Sequence, residues 1–144
     1  LVNGDDVFQP TVLQELLKSD GDITMVVSRK DHYDEDDMKV VAEGENIVDV
    51  GKDIEHTKAS AESIGMILLR GKGLMDMQNC LLEMVRDEEN LQLFYLAALR
   101  KLMRDGHKIC FSECRQEDWA EVDFHPDLEQ MRAQLQGKLL GPSM

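Results

Sequence analysis

Asn3-Gly4-Asp5-Asp6-Val7-Phe8 stands at the front of the chain, a glycine and two acids set against a short apolar run. A strand that stops at Gly4-Asp5-Asp6 leaves a carboxylate at the carboxyl edge of a sheet, where open α/β sheets hold their ligand crevice. A second acidic station, Trp119-Ala120-Glu121-Val122-Asp123, lies near the other end. Strand alternation points Glu121 and Asp123 to one side, and it turns Asp6 away from Asp5. Asp5, Glu121 and Asp123 are then able to converge on one hard cation.

Working outward, Thr11 to Lys18 carries Val12, Leu13, Leu16 and Leu17 at helical spacing, with Pro10 suited to a first turn. Ile23 to Ser28 is a β-rich run bounded by turn residues. With the stunted apolar run Leu1 to Asn3 in front, this is a strand–helix–strand unit of an α/β sheet. Beyond the acidic block Asp31 to Asp37, Met38 to Glu43 and Asn46 to Val50 read as a hairpin around Gly44-Glu45, and Ser63 to Leu69 as another strand. Helices are predicted over Leu74 to Arg86 and Leu91 to Arg104, the latter stopped by Gly106. Two strands follow at Lys108 to Phe111 and Trp119 to Val122, then a helix from Pro126 to about Leu135. Residues 1–137 read as one domain and 138–144 as a tail.

The 144 residues suffice for one modest core, and with 42% hydrophobic but only 5% aromatic residues that core is aliphatic. A net charge of -13 argues against a broad grip on nucleic acid or an anionic membrane, which needs clustered Lys and Arg. Cys80, Cys110 and Cys114 fit no zinc spacing and cannot all pair, which suits free thiols in a reducing compartment. No apolar stretch reaches the roughly 18 residues of a membrane span, and no basic-then-apolar leader is present, so the expected location is the cytoplasm. The four histidines are scattered without a nucleophilic Ser or Cys at interpretable spacing, which leaves a nucleophilic hydrolase unsupported.

In order, Asn3 to Phe8, Asp34-Glu35-Asp36-Asp37-Met38-Lys39-Val40, Val50-Gly51-Lys52, Glu62-Ser63-Ile64-Gly65-Met66, and Trp119 to Phe124 with Pro126-Asp127-Leu128 resemble the nucleotidyltransferase family. The nearest likeness is to bacterial cytidylyltransferases acting on phosphocholine or aminoalkylphosphonates, with sugar-1-phosphate nucleotidyltransferases as more distant relatives. The resemblance implies a three-layer, Rossmann-like α/β fold with a mixed sheet. It also implies that only the C-terminal portion is present, because the family's Gly-x-Gly-x-Arg phosphate loop has no counterpart here.

The implied activity is transfer of a nucleotidyl group from a nucleoside triphosphate, preferably CTP, to a small phosphorylated or phosphonylated amino alcohol, with Mg²⁺ as cofactor. Asp5, Glu121 and Asp123 are the implied metal ligands, and Lys52 the implied holder of the acceptor phosphate. Glu62 would meet the acceptor's polar or cationic end, Gly65 would allow close backbone approach, and Trp119 would offer a cation–π face. Plainer readings stand beside these: Lys52 as a solvated lysine between Asp49 and Asp53, Glu62 as an exposed edge residue, Trp119 as core, and Asp34 to Asp37 as a solvated loop. Leu96 departs from the acid expected after Phe94-Tyr95, which bears on acceptor identity. A sugar-1-phosphate acceptor is one alternative. A non-catalytic interaction domain, completed by another copy of the chain, is the other.

Overall fold

The computed structural model describes residues 1–122 and 132–133. Its regular elements are β1 (Asp6–Phe8), α1 (Pro10–Leu17), β2 (Ile23–Ser28), β3 (Lys39–Glu43), β4 (Asn46–Gly51), β5 (Ala61–Leu69), α2 (Gly71–Met84), α3 (Leu96–Arg104), β6 (Ile109–Cys114) and β7 (Trp119–Glu121). The sheet is built around β2, which is buried along its whole length. It pairs antiparallel with β5 and parallel with β6, so the sheet is mixed. A strand covered on both faces carries a continuous apolar run, which is why Ile23 to Val27 lacks polar alternation.

The two faces of β2 feed two cores. Ile23, Met25 and Val27 join Met77 of α2 and Leu99 and Leu102 of α3. Val26 points the other way and packs with Val12 and Leu16 of α1, Ile64 and Met66 of β5, and the fringing Phe8 and Trp119. Helices α2 and α3 thus form one layer, the sheet a second, and α1 with the β1–β7 ribbon a third. The strand order is β2-β5-β3-β4-β6, and the sheet closes on itself through a short ladder, Asn46↔Cys110 and Ile47↔Ile109.

Three elements differ from the sequence reading. Leu1 to Asn3 does not run into the first acidic strand: Val2 bridges Met66 of β5, the chain bends at Gly4-Asp5, and β1 starts only at Asp6. The helix expected over Leu91 to Arg104 is split. Asp87 accepts from the Glu89 N–H at 3.2 Å and caps a separate 3₁₀ turn at Glu88–Gln92, so α3 begins at Leu96 and Phe94 is left 68% exposed. Strand β5 begins at Ala61, which takes Glu62 inside the sheet. The helix expected from Pro126 and the tail 138–144 lie outside the described residues, apart from Arg132 and Ala133.

Candidate active site

The two acidic stations are hydrogen-bonded neighbours. β1 and β7 pair antiparallel with Asp6 opposite Glu121 and Phe8 opposite Trp119, and the Val122 N–H donates to the Asp5 carbonyl at 2.9 Å. Directly opposed residues share a face of the ribbon, so Asp6, which alternation turns from Asp5, stands beside Glu121. Below them lies β5. The Asn3 N–H donates to the Gly65 carbonyl at 3.0 Å, and Gly65 adopts φ 77, a left-handed conformation that suits glycine. A Cβ there would strike the Asn3 amide and stand 2.8 Å from Asp6 Oδ2. The Tyr95 hydroxyl donates to Asn3 Oδ1 at 3.1 Å, which ties α3 to the bend that carries Asp5. Burial pushes that hydroxyl up to about 12, with the nearby charges of Asp6 and Asp5 adding to the effect, so Tyr95 stays a donor through the working pH range.

These groups line a cavity of about 890 Å³. Of the residues singled out from sequence, Asp5, Lys52, Glu62, Gly65, Trp119 and Glu121 all border it. Asp123 lies outside the described residues. Lys52 holds its ammonium 5.9 Å from the centre of the Phe94 ring, within cation–π range. Trp119 borders the cavity while its body packs on the α1 core. Among the described residues the lining carries Asp5, Asp36, Asp37, Glu62 and Glu121 against one cation, Lys52.

The acidic block is a solvated loop at Asp34, Glu35 and Asp36, and it is anchored at its end by Asp37 and through its backbone. Lys30 Nζ lies 2.7 Å from Asp37 and 3.0 Å from Glu62, bridging the two carboxyl groups. Lys39, 1% exposed, donates to the backbone carbonyls of Asp34, Asp37 and Glu35 at 2.9, 3.3 and 3.4 Å. Its charge is therefore spent inside the loop. Glu62, only 6% exposed, is no edge residue; burial pushes its carboxyl up to about 6, Asp37 adds to this and Lys30 opposes it.

A stability signature follows. A carboxyl whose folded value exceeds its unfolded one binds its proton more tightly when native, so the contribution is present at low pH and lost as pH rises from about 4.5 through 6. Lys30 is raised from an ordinary value near 10.5 and Asp37 is lowered from one near 3.8, so neither competes in that window. Relative to Glu62→Gln, the wild type is expected to lose about 2 kcal/mol between pH 4.5 and 7, at about 1.4 kcal/mol per pH unit. Urea melts of both proteins across that range check it; a constant difference contradicts it.

Among the described residues, no group of three His, Cys, Asp or Glu side chains is placed to hold a metal ion. The described metal candidates are Asp5 and Glu121, which both border the cavity although the ladder partner of Glu121 is Asp6; Asp123 lies outside the described residues. Sequence reasoning treated Tyr95 as packing and Asp37 as loop. The helical spacing of Tyr95 concealed its hydroxyl's role, whereas Lys30 and Lys39 flanking the acids were a legible sign of a tied loop.

No protein-family description matches the chain, and no curated protein matches it in sequence. Solved structures do match in fold. The chain is similar to the inositol-1-phosphate CTP transferase from T. maritima, with a TM-score of 0.70 at 22% identity over 95% of this chain and 56% of that one. It is also similar to the nucleoside-diphosphate-sugar pyrophosphorylase from Vibrio cholerae RC9, with a TM-score of 0.63 at 12% identity over 90% of this chain and 53% of that one. The chain therefore has the fold of these nucleotide-transferring proteins and spans slightly more than half their length.

Proposed function

We propose that this chain supplies the acceptor- and metal-binding part of a nucleotidyltransferase, which moves a cytidylyl group from CTP to a small phosphorylated or phosphonylated amino alcohol. The observation that carries the reading is the β1–β7 ladder, which joins the two acidic stations on the wall of a cavity that Lys52 also borders. An acceptor with phosphate at one end and a cation at the other suits a lining of one lysine, several carboxylates and the aromatic faces of Trp119 and Tyr95. The fold supports the class without specifying the substrate.

In this reaction a phosphate or phosphonate oxygen of the acceptor forms a bond to the α-phosphorus of CTP. The bond from that phosphorus to its bridging oxygen breaks, and the electron pair leaves on pyrophosphate. The attacking oxygen is already ionised near neutral pH, so no general base is required. Lys52 holds the acceptor phosphate, and the carboxylates with Trp119 receive its cationic end. Tyr95 and Asn3 fix the Gly4-Asp5 bend. Asp5 and Glu121, with Asp123, are hard oxygen donors of the kind Mg²⁺ takes beside phosphate oxygens and retained waters. When bound, the ion supplies charge neutralisation between the two anions and at the leaving group.

Trp119 is the only tryptophan and borders the cavity, so its fluorescence reports occupancy. Phosphocholine, 2-aminoethylphosphonate, glucose 1-phosphate and inositol 1-phosphate are titrated with Mg²⁺ present. The amino-alcohol ligands are expected to bind at least tenfold more tightly than the other two. The reverse order favours the second reading, a sugar or polyol phosphate acceptor, which the name of the T. maritima neighbour supports.

A further inference from the structure

We infer that Arg100 is a positioning residue that insulates Lys52 from its own neighbouring carboxylates and so keeps the lysine available to phosphate; this rests on the reading of Lys52 as the acceptor-phosphate group. Lys52 lies between Asp49 and Asp53, three positions after one and one before the other. Either acid would be its natural partner in a chain of net charge -13. Both acids are instead taken by α3. Arg100 Nε and Nη2 form a fork on Asp49 at 2.6 and 3.0 Å, while Nη1 meets the two carboxylate oxygens of Asp53 at 2.8 and 3.0 Å. Five N–H donors in a rigid plane let one arginine grip Asp49 with a two-pronged fork and still offer a third nitrogen to Asp53.

Electrostatics and packing agree with this geometry. Asp53 is held below the usual carboxylate range chiefly by its hydrogen bond to Arg100, and Arg100 is raised by Asp49 first and Asp53 second. The backbone is shaped to admit the clamp. A Cβ at Gly51 would collide with Asp53 Oδ1 and stand 3.0 Å from Arg100 Nη1, so glycine at the end of β4 lets the guanidinium reach across. Among the described residues Lys52 makes no ion pair; its ammonium borders the cavity above Phe94 instead. The guanidinium neutralises the local acids without itself bordering the cavity.

The test titrates inorganic phosphate, without metal, into the whole chain and follows the Lys52 side-chain nitrogen by NMR. Lys52→Gln is expected to abolish the saturable response; phosphate binding undiminished in that variant, or absent in the wild type, overturns the reading of Lys52 itself. Arg100→Gln is expected to weaken binding about tenfold, because Asp49 and Asp53 then capture Lys52. Adding Asp49→Asn and Asp53→Asn to Arg100→Gln is expected to restore affinity to within about twofold of wild type. Arg100→Gln binding like wild type, or a triple variant that stays weak, overturns the insulating role while leaving Lys52 as the phosphate group. Should Arg100→Gln fail to fold, Asp49→Asn with Asp53→Asn in the presence of Arg100 carries the test alone. That pair is expected to bind phosphate at least as well as wild type, and weakened binding contradicts the inference.

Discussion

Gly65→Val is expected to be the most destabilising single change in the site, lowering the unfolding free energy by about 3 to 5 kcal/mol. Two costs add. Valine at φ 77 is a β-branched residue in a left-handed conformation, a strain of about 1 to 3 kcal/mol. Its Cβ would also strike the Asn3 amide and press on Asp6, and overpacking of this kind costs about 1 to 3 kcal/mol more. Asn3 cannot retreat without giving up its backbone bond to Gly65 and its bond from Tyr95. Urea unfolding monitored through Trp119 measures the effect, with Gly65→Ala expected in between because alanine lacks the branch. A loss below about 1 kcal/mol for valine would mean that β5 and the Asn3 bend are not locked together.

The second large effect concerns the cation. Magnesium that binds only the folded chain raises stability by about 2.7 kcal/mol at a hundredfold excess over its dissociation constant. Replacing Asp5 with Asn and Glu121 with Gln together is expected to abolish that increment, because the neutral amides keep the ladder and remove the charge. Without magnesium the same pair is expected to change stability little. Calorimetric melts of both proteins with and without the ion separate these terms. An increment of unchanged size in the double variant would relocate the metal to other acids.

Helix α1 and strand β2 were legible because their signals are local, whereas the strand expected before them was not, since β1 pairs with β7 outside the sheet of β2. Pro10 opens α1, Val12 and Leu16 face one core, and Ile23 to Ser28 is a β-rich run buried along its whole length. Lys52, Glu62, Gly65, Trp119 and Glu121 were legible as cavity residues through the resemblance of their motifs, in order along the chain, to a known family. What could not be read were facts of long range. The opposition of Asp6 to Glu121 depends on ladder register, and alternation within one strand says nothing about the partner strand. The reach of Arg100 to Asp49 and Asp53 spans two elements distant in the chain. The helical spacing of Leu91, Phe94 and Tyr95 suggested one continuous helix, but a local capping turn at Asp87 competes with it and leaves Phe94 at the cavity.

The central claim is that acids from opposite ends of the chain form one cation site beside Lys52. Titration of Mn²⁺ into the isotope-labelled chain, with paramagnetic broadening of amide signals followed by NMR, tests it most directly. The account predicts that Gly4 to Asp6 and Ala120 to Val122 broaden together at the lowest metal concentrations. Broadening that begins at Asp34 to Asp37, or at one acidic station without the other, would contradict it.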